Sequence, residues 1–363
     1  MALQANSGSN LNHDFLLSCI AGAWDRLAAN ASSPMQHYIW SKACLDTLNA
    51  DDRLYIIPPD STDDVIAFAP LIRRRHELLP RLILPGSDDL GEPMDLLYIE
   101  DSALKQVARR LVETGLPIFL QRLPATSPAV EAIKDAYRGR GWVVSRASES
   151  SPTLKIDASW VNPDQCLKAG RRSDLRRMRR NAEKLGPVSF EVHEGPPAAV
   201  YDLLQKAFAI ENKSWKGREG TSLALDSKRS AFFTLYATEA AKRGMLRVFF
   251  LRIGEQLAAM QIAVEFGGAL WLFKVGYDES FKRCAPGQLL MLEAVRYGLA
   301  RALDSIEFLG SDEPWTKTWT KHVREYVSLG AYPANAIGAS VFAADVSSWA
   351  MKRVRYWLNP KKK

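Results

Sequence analysis

Residues 281–290 read FKRCAPGQLL, two cations and then a proline and a glycine that open a helix-like run directly after strand-like residues. At a helix start the first backbone N–H groups lack intrahelical partners and the macrodipole adds about half a positive charge, so an anion such as a pyrophosphate can sit there. Pro286 gives up a donor that the helix would leave unpaired anyway. Gly287 lets a ligand approach the backbone, and the amides of Gly287, Gln288 and Leu289 are expected to point at it, with Lys282 and Arg283 as counter-charge. The same residues suit a plain proline-initiated helix, and this stretch alone leaves both readings open. A second group of cations lies at 168–184, KAGRRSDLRRMRRNAEK, where eight Lys/Arg meet two Asp/Glu. Arg171, Arg172, Arg176, Arg177, Arg179 and Arg180 have only Asp174 and Glu183 nearby to neutralise them. Unpaired cations favour an anionic partner, and a solvated amphipathic face is the alternative.

These residues need elements to hold them. The first half alternates helix-like segments at 37–49, 103–114 and 127–141 with strand-like ones at 53–58, 64–74, 117–123, 142–147 and 153–157, an α/β or α+β pattern. Asn162 as cap, Pro163 in the first turn, Gln165 closing a capping box and Gly186-Pro187 as terminator predict one basic helix over 163–185. Helices follow at 198–215 and 230–244. Three strands, 246–253, 256–266 and 269–277, are joined by Gly254-Glu255 and Gly267-Gly268, two-residue hairpin signals that predict an antiparallel meander. A helix over 286–304, a strand over 305–309 and a turn, GSDEPWTKTW, complete the pattern.

A chain of 363 residues predicts two domains. Its net charge of +7 is concentrated: the 168–184 segment and the tail 350–363 each carry +6, so the remaining residues sum to −5. Two local patches argue against DNA binding over a broad surface. No apolar run approaches the roughly 20 residues that span a bilayer, and the N-terminus lacks the pattern of a signal peptide, so a cytoplasmic protein is expected. Cys19, Cys44, Cys166 and Cys284 and five scattered histidines show no metal-ligand spacing, which predicts free thiols and no metal.

The ordered set ENKSWKG (211–217), GMLRVFFL (244–251), FKVGYDESFKRCAPGQLL (273–290) and FLGSDEPWTKTW (308–319) resembles the acyltransferases associated with cellulose and exopolysaccharide biosynthesis loci (CelD-like). These belong to the GNAT superfamily and are akin to the Fem peptidyl transferases. IAFAPLIRRR and KAGRRSDLRRMRRNAEKLG extend the resemblance, which runs from about Pro34 to about Glu325. It implies two tandem GNAT-like lobes: a degenerate one at 34–160 after an N-terminal extension (1–33), and a working one at 161–340 before a basic tail (341–363). Acyl-CoA or acetyl-CoA would be the donor, held by Val275, Gly276, Lys282, Arg283, Gly287, Gln288 and Leu289. The loop departs from the superfamily pattern Arg/Gln-x-x-Gly-x-Gly/Ala. Arg283 fits its first position, while Pro286 and Gln288 stand where small residues are expected.

Acyl transfer to an amine needs a base, a donor for the oxyanion and an acid for the leaving thiolate. The resemblance implies Glu211 as base, Lys317 against the reacting carbonyl with Asp312 and His322 as partners, and Tyr277 as acid, with Asp278 beside the docked donor. Trp215 and Lys216 would line the acceptor site, and Arg171 and Arg172 would hold a phosphate. The expected activity is acyl transfer from acyl-CoA to an amine or hydroxyl of a sugar or lipid precursor in cell-envelope, exopolysaccharide or sphingoid-type lipid biosynthesis. Two alternatives are aminoacyl transfer from tRNA, as the Fem kinship allows, and a non-catalytic membrane-peripheral scaffold. The absence of a long charged heptad run argues against tRNA. In the tail, Trp349, Val354, Trp357 and Leu358 could share a helical face ringed by Lys352, Arg353, Arg355 and the terminal lysines. Such a helix either lies on an anionic membrane surface, which would place the protein peripherally on the inner membrane, or docks on the fold.

Overall fold

The computed structural model describes residues 3–4, 10–58, 66–74 and 79–358. The chain divides into two units, each discontinuous in sequence. The first comprises Met1–Ala31, Asn49–Glu149 and Glu325–Lys363, the second Ser32–Leu48 and Ser150–Arg324. The boundaries expected from the sequence, after residues 33, 160 and 340, by contrast delimit continuous stretches.

The first unit is built on a mixed sheet. In spatial order its strands are Leu3–Gln4, Arg53–Ile57, Ala67–Arg73, Leu82–Ile83, Ile118–Pro124, Val323–Pro333 and Gly141–Lys155. The central strand Ala67–Arg73 is apolar on both faces and almost wholly buried. Helix Asp101–Glu113 turns Ala103, Leu104, Val107, Ala108 and Leu111 inward at helical spacing. Helix Pro128–Tyr137 starts on Ser127, whose hydroxyl accepts the Ala129 N–H at 3.1 Å. The C-terminal helix Ala336–Leu358 docks within this unit. Arg146 lies 3.2 Å over the Trp349 ring, Phe342 stacks on Trp142, and Asp345 pairs with Arg81 at 3.1 Å and accepts from Tyr332 at 2.8 Å. Trp349 is therefore a docking residue. The side chains of Lys352, Arg353, Val354, Arg355, Trp357 and Leu358, the terminal lysines and the thiol of Cys19 lie outside the described residues.

The second unit carries the meander. Its strands run Val188–His193, Leu246–Ile253, Gln256–Phe266, Ala269–Tyr277, Ser305–Glu307 and the end of Gly141–Lys155, antiparallel except for the parallel pair Ala269–Tyr277 and Ser305–Glu307. Both expected two-residue turns are present, with Gly254, Gly267 and Gly268 at positive φ. Alternation splits the meander's side chains between two layers. Phe249, Leu251, Leu270 and Leu272 pack with Leu289, Leu290 and Val295 of helix Pro286–Ala300 and with Leu175 and Ala182 of helix Ala169–Glu183. Beneath the other face lies an aromatic cluster in which Trp40, from helix Tyr38–Asp46, meets Phe232 and Tyr236 edge-on and stacks on Phe273.

Three local expectations are corrected. The segment 163–185 is two helices, Pro163–Cys166 and Ala169–Glu183, because Leu167 and Lys168 are extended and Leu167 turns into the core. Asn162 makes no side-chain cap. The two short strands at 142–147 and 153–157 are one, Gly141–Lys155. Among the strands not expected from the sequence, the longest two, Val188–His193 and Val323–Pro333, carry mixed burial patterns that alternation alone does not flag.

Candidate active site

The two parallel strands pair over three residues only, Ala269–Trp271 with Ser305–Glu307. Past that point Ala269–Tyr277 stays paired to Gln256–Phe266 on one side, up to Tyr277 opposite Ala259, and has no ladder partner on the other among the described residues. This open edge, residues 272–277, holds Val275, Gly276 and Tyr277. Two non-glycine residues with left-handed backbone flank it, Ala285 (φ 43°) at the start of helix Pro286–Ala300 and Leu309 (φ 55°) just past the neighbouring strand.

The cationic stretch closes the open edge. Asp278 caps a short 3₁₀ turn, Glu279–Cys284, by accepting the Ser280 N–H at 2.9 Å, and this turn carries Lys282 and Arg283 into solvent. Neither cation has an ion-pair partner among the described residues. Burial alone would raise the Asp278 carboxyl, but hydrogen bonds from Ser280 and the Lys213 ammonium outweigh it and hold it below the usual carboxylate range. Of the three amides expected to face an anion, those of Gln288 and Leu289 turn back to Ala285 O, at 2.9 and 3.3 Å. Gly287 N–H is the one without a backbone acceptor there. Gln288 is engaged through its side chain: Oε1 accepts from Arg171 and, at 3.0 Å, from Trp319 Nε1, and Arg171 also lies 6.0 Å over the Trp319 ring. One amide side chain thus ties the basic helix and the Lys317 segment to the start of helix Pro286–Ala300. Burial pulls the Arg171 guanidinium below its ordinary value, against the pull of Asp174. Arg172 donates to Gln165 O at 3.4 Å, Arg177 pairs with Asp174 and Arg179 with Glu183.

On the other side of the open edge stands ENKSWKG. Helix Val200–Asn212 ends at Asn212, and Ser214 caps a new turn, Trp215–Arg218. Gly217 makes that turn possible, because a Cβ there would lie 1.8 Å from Asn212 O. Glu211 is 1% exposed, and both its oxygens are occupied: Oε1 by Lys216 Nζ at 3.0 Å and Oε2 by the Leu223 N–H at 2.9 Å. Lys216 Nζ also donates to Val275 O at 3.3 Å, on the open edge itself. Trp215 is 43% exposed beside it. Lys213 pairs with Asp278 at 3.2 Å and Arg218 with Glu279 at 3.1 Å, pinning this turn to the cationic one.

Lys317 sits in the turn Thr316–Thr318, 58% exposed and paired with Asp312 at 3.3 Å. His322 is not drawn to it; among the described residues its backbone alone is engaged, with Thr320 and Thr153. Tyr277 packs against the core, and its hydroxyl has no hydrogen-bond partner among the described residues. Sequence reasoning missed Trp319 and Lys213. Both lie inside the quoted motifs, but only their contacts with Gln288 and Asp278 reveal them. Two surface clefts, of about 520 and 630 Å³, lie elsewhere in this unit, one by His193 and Leu203 and the other by Tyr201 and Leu225. Among the described residues no cluster could hold a metal, and Cys44, Cys166 and Cys284 are free.

Residues 169–317 match the acetyltransferase (GNAT) domain family. No curated protein matches the sequence. Among solved structures, the C-terminal domain of a putative lysylphosphatidylglycerol synthetase from Agrobacterium fabrum superposes with a TM-score of 0.56 at 11% identity, covering 91% of this chain and 96% of that one. FemX superposes at 0.55 with 10% identity over 92% and 98% of the two chains, and L-PGS from Bacillus licheniformis at 0.50 with 12% over 84% and 92%. At such identities the likeness is one of fold. The chain has the mixed α/β, GNAT-type architecture expected of it, and the matched segment contains the open edge, the cationic turn and the buried Glu211.

Proposed function

We propose that this protein is an acyltransferase that moves an acyl group from acyl-CoA to an amine or hydroxyl of a sugar or lipid precursor in envelope, exopolysaccharide or sphingoid-type lipid biosynthesis. The open edge of Ala269–Tyr277, closed at its end by the cationic turn and a helix N-terminus, carries this reading. A thioester donor fits there by the chemistry of the residues present. Lys282 and Arg283 are exposed and have no ion-pair partner among the described residues, Gly287 offers an amide, and residues 272–277 offer backbone groups to an extended chain. The donor supplies an activated acyl carbon. The protein's part is to hold the diphosphate with Lys282, Arg283 and the Gly287 N–H, align the thioester along the strand and bring the acceptor past Trp215. As the acceptor nitrogen forms its C–N bond, the carbonyl electron pair moves onto oxygen; the C–S bond then breaks, and the amine proton ends on the leaving thiolate. Tyr277, whose hydroxyl has no hydrogen-bond partner among the described residues, would deliver that proton. The narrower kinship with exopolysaccharide-locus acyltransferases is part of this proposal and rests on the ordered motifs.

Titrating acyl-CoA against the full chain is expected to give saturable binding that weakens at least about tenfold when Lys282 and Arg283 both become Glu, in keeping with loss of two charge-assisted contacts. Absence of binding by the unaltered protein would overturn the reading. One observation favours a tRNA-borne donor instead: Arg176 and Arg180 are exposed without ion-pair partners among the described residues. A complex with charged tRNA whose affinity falls steeply with salt would select that alternative.

A further inference from the structure

The acyl-transfer reading leaves open which group meets the reacting carbonyl. Resting on that reading, we propose that Lys216 donates a hydrogen bond to the thioester carbonyl and stabilises the oxyanion, and that Glu211 acts through Lys216 as its positioning residue rather than as the base.

The Lys216 ammonium has three N–H donors. Two are spent, on Glu211 Oε1 at 3.0 Å and Val275 O at 3.3 Å, and the third has no acceptor among the described residues. The side chain keeps 23% of its surface exposed, so a ligand can reach it. Val275 O faces the open edge. Asp278 N–H bonds back to Ala258 O on the neighbouring strand, and a residue three places earlier in an extended chain turns its carbonyl the opposite way. Lys216 Nζ therefore stands on the side where an acyl chain laid along residues 272–277 would bring its carbonyl. Its remaining N–H and positive charge lie where negative charge develops on the carbonyl oxygen.

Glu211 has no comparable access. Its oxygens are both held, and the helix carrying it presses on the strand so closely that a Cβ at Gly276 would lie 3.2 Å from Glu211 Cα. The carboxylate thus fixes the ammonium from behind while Gly276 permits the approach. Lys317, the lysine singled out by resemblance, is exposed and tied to Asp312.

The test uses acetyl-CoA labelled with ¹³C at the carbonyl, bound to the full chain and followed by NMR beside a binding isotherm. The unaltered protein is expected to move the carbonyl resonance downfield of free acetyl-CoA. Lys216→Met should bind within about threefold of the original affinity yet return the resonance to its free position, and Lys216→Arg should restore part of the shift. Because Lys216→Met leaves a buried carboxylate unpaired, the double variant Glu211→Gln/Lys216→Met serves as the folding control, with both charges removed together and the shift still absent. Glu211→Gln alone should reduce the shift with Lys216 present. A full shift in Lys216→Met overturns the role of Lys216, and a full shift in Glu211→Gln overturns that of Glu211. Bound acetyl-CoA with a free-like carbonyl in the unaltered protein overturns this inference and leaves the donor reading standing, whereas no binding at all overturns that reading as well.

Discussion

Gly287 sits in the first turn of its helix with ordinary helical backbone, and a Cβ there would meet Tyr277 at 3.7 Å, a normal contact. The fold therefore does not require glycine at this position, and alanine should raise stability by up to about 1 kcal/mol through helix propensity. If the glycine serves a ligand, Gly287→Ala will keep or raise the melting temperature and weaken acyl-CoA binding about tenfold or more, since even a methyl obstructs a close approach to the backbone. Unchanged affinity would mark a plain helix start. Asp95, in the first unit, tests electrostatics at the same scale. Burial pushes its carboxyl up to about 6, against hydrogen bonds from Ser127 and the Leu96 N–H. A raised folded value means that the native state holds its proton more tightly than the unfolded chain, so the contribution is present below the ordinary carboxylate range and is lost as pH rises towards 6. That loss amounts to about 3 kcal/mol at most. Asp95→Asn should accordingly flatten the decline between pH 4 and 6 and melt above the parent at pH 7, as read by thermal unfolding across pH.

At the scale of elements, two of the four non-glycine residues with left-handed backbone among the described residues lie where the sheet opens. Ala285 and Leu309, both non-glycine residues in left-handed backbone, bracket the open edge, and each such residue costs on the order of 1–2 kcal/mol. Ala285→Gly removes the steric part, and denaturant unfolding should show a gain of about 1 kcal/mol if the strain is as read from φ. An unchanged midpoint would mean that the surrounding turn has already absorbed it. The basic helix shows how an element can be legible in kind and not in extent. Its arginines and its apolar stripe are plain in KAGRRSDLRRMRRNAEK, while the break at Leu167 and Lys168 is not, because it exists to bury Leu167 in a core assembled from residues far away in sequence. The same holds for ENKSWKG. Its helix is readable, but the re-start at Ser214 follows from the contact of Gly217 with Asn212 O and from the pairing of Lys213 with Asp278.

At the scale of the molecule, the second unit takes Ser32–Leu48 from the N-terminal region. Trp40 is fully buried in an aromatic cluster with Phe232, Tyr236 and Phe273, so its loss should cost roughly 3–5 kcal/mol. A fragment of residues 150–324 is therefore expected to lack the near-ultraviolet circular dichroism of fixed aromatic packing, and addition of a peptide of residues 32–48 should restore it. A fragment with full native signal and cooperative melting would show the core complete without Trp40.

From the sequence alone came the α/β class, the meander with both of its glycine turns, the cationic helix start, and the GNAT resemblance later matched over residues 169–317. These are legible because hydrophobic period, turn chemistry and helix-start composition are local, set by neighbours within a few positions of the chain. Tertiary structure alone decided that Val323–Pro333 and Ala336–Leu358 return to the first unit, that Trp349 is covered by Arg146, and that Gln288 joins Arg171 to Trp319. It decided as well that Glu211 is a buried partner of Lys216 at the open edge. Burial and pairing of this kind depend on which distant segments share a core, and a desolvated carboxylate must find its cation wherever the chain brings one.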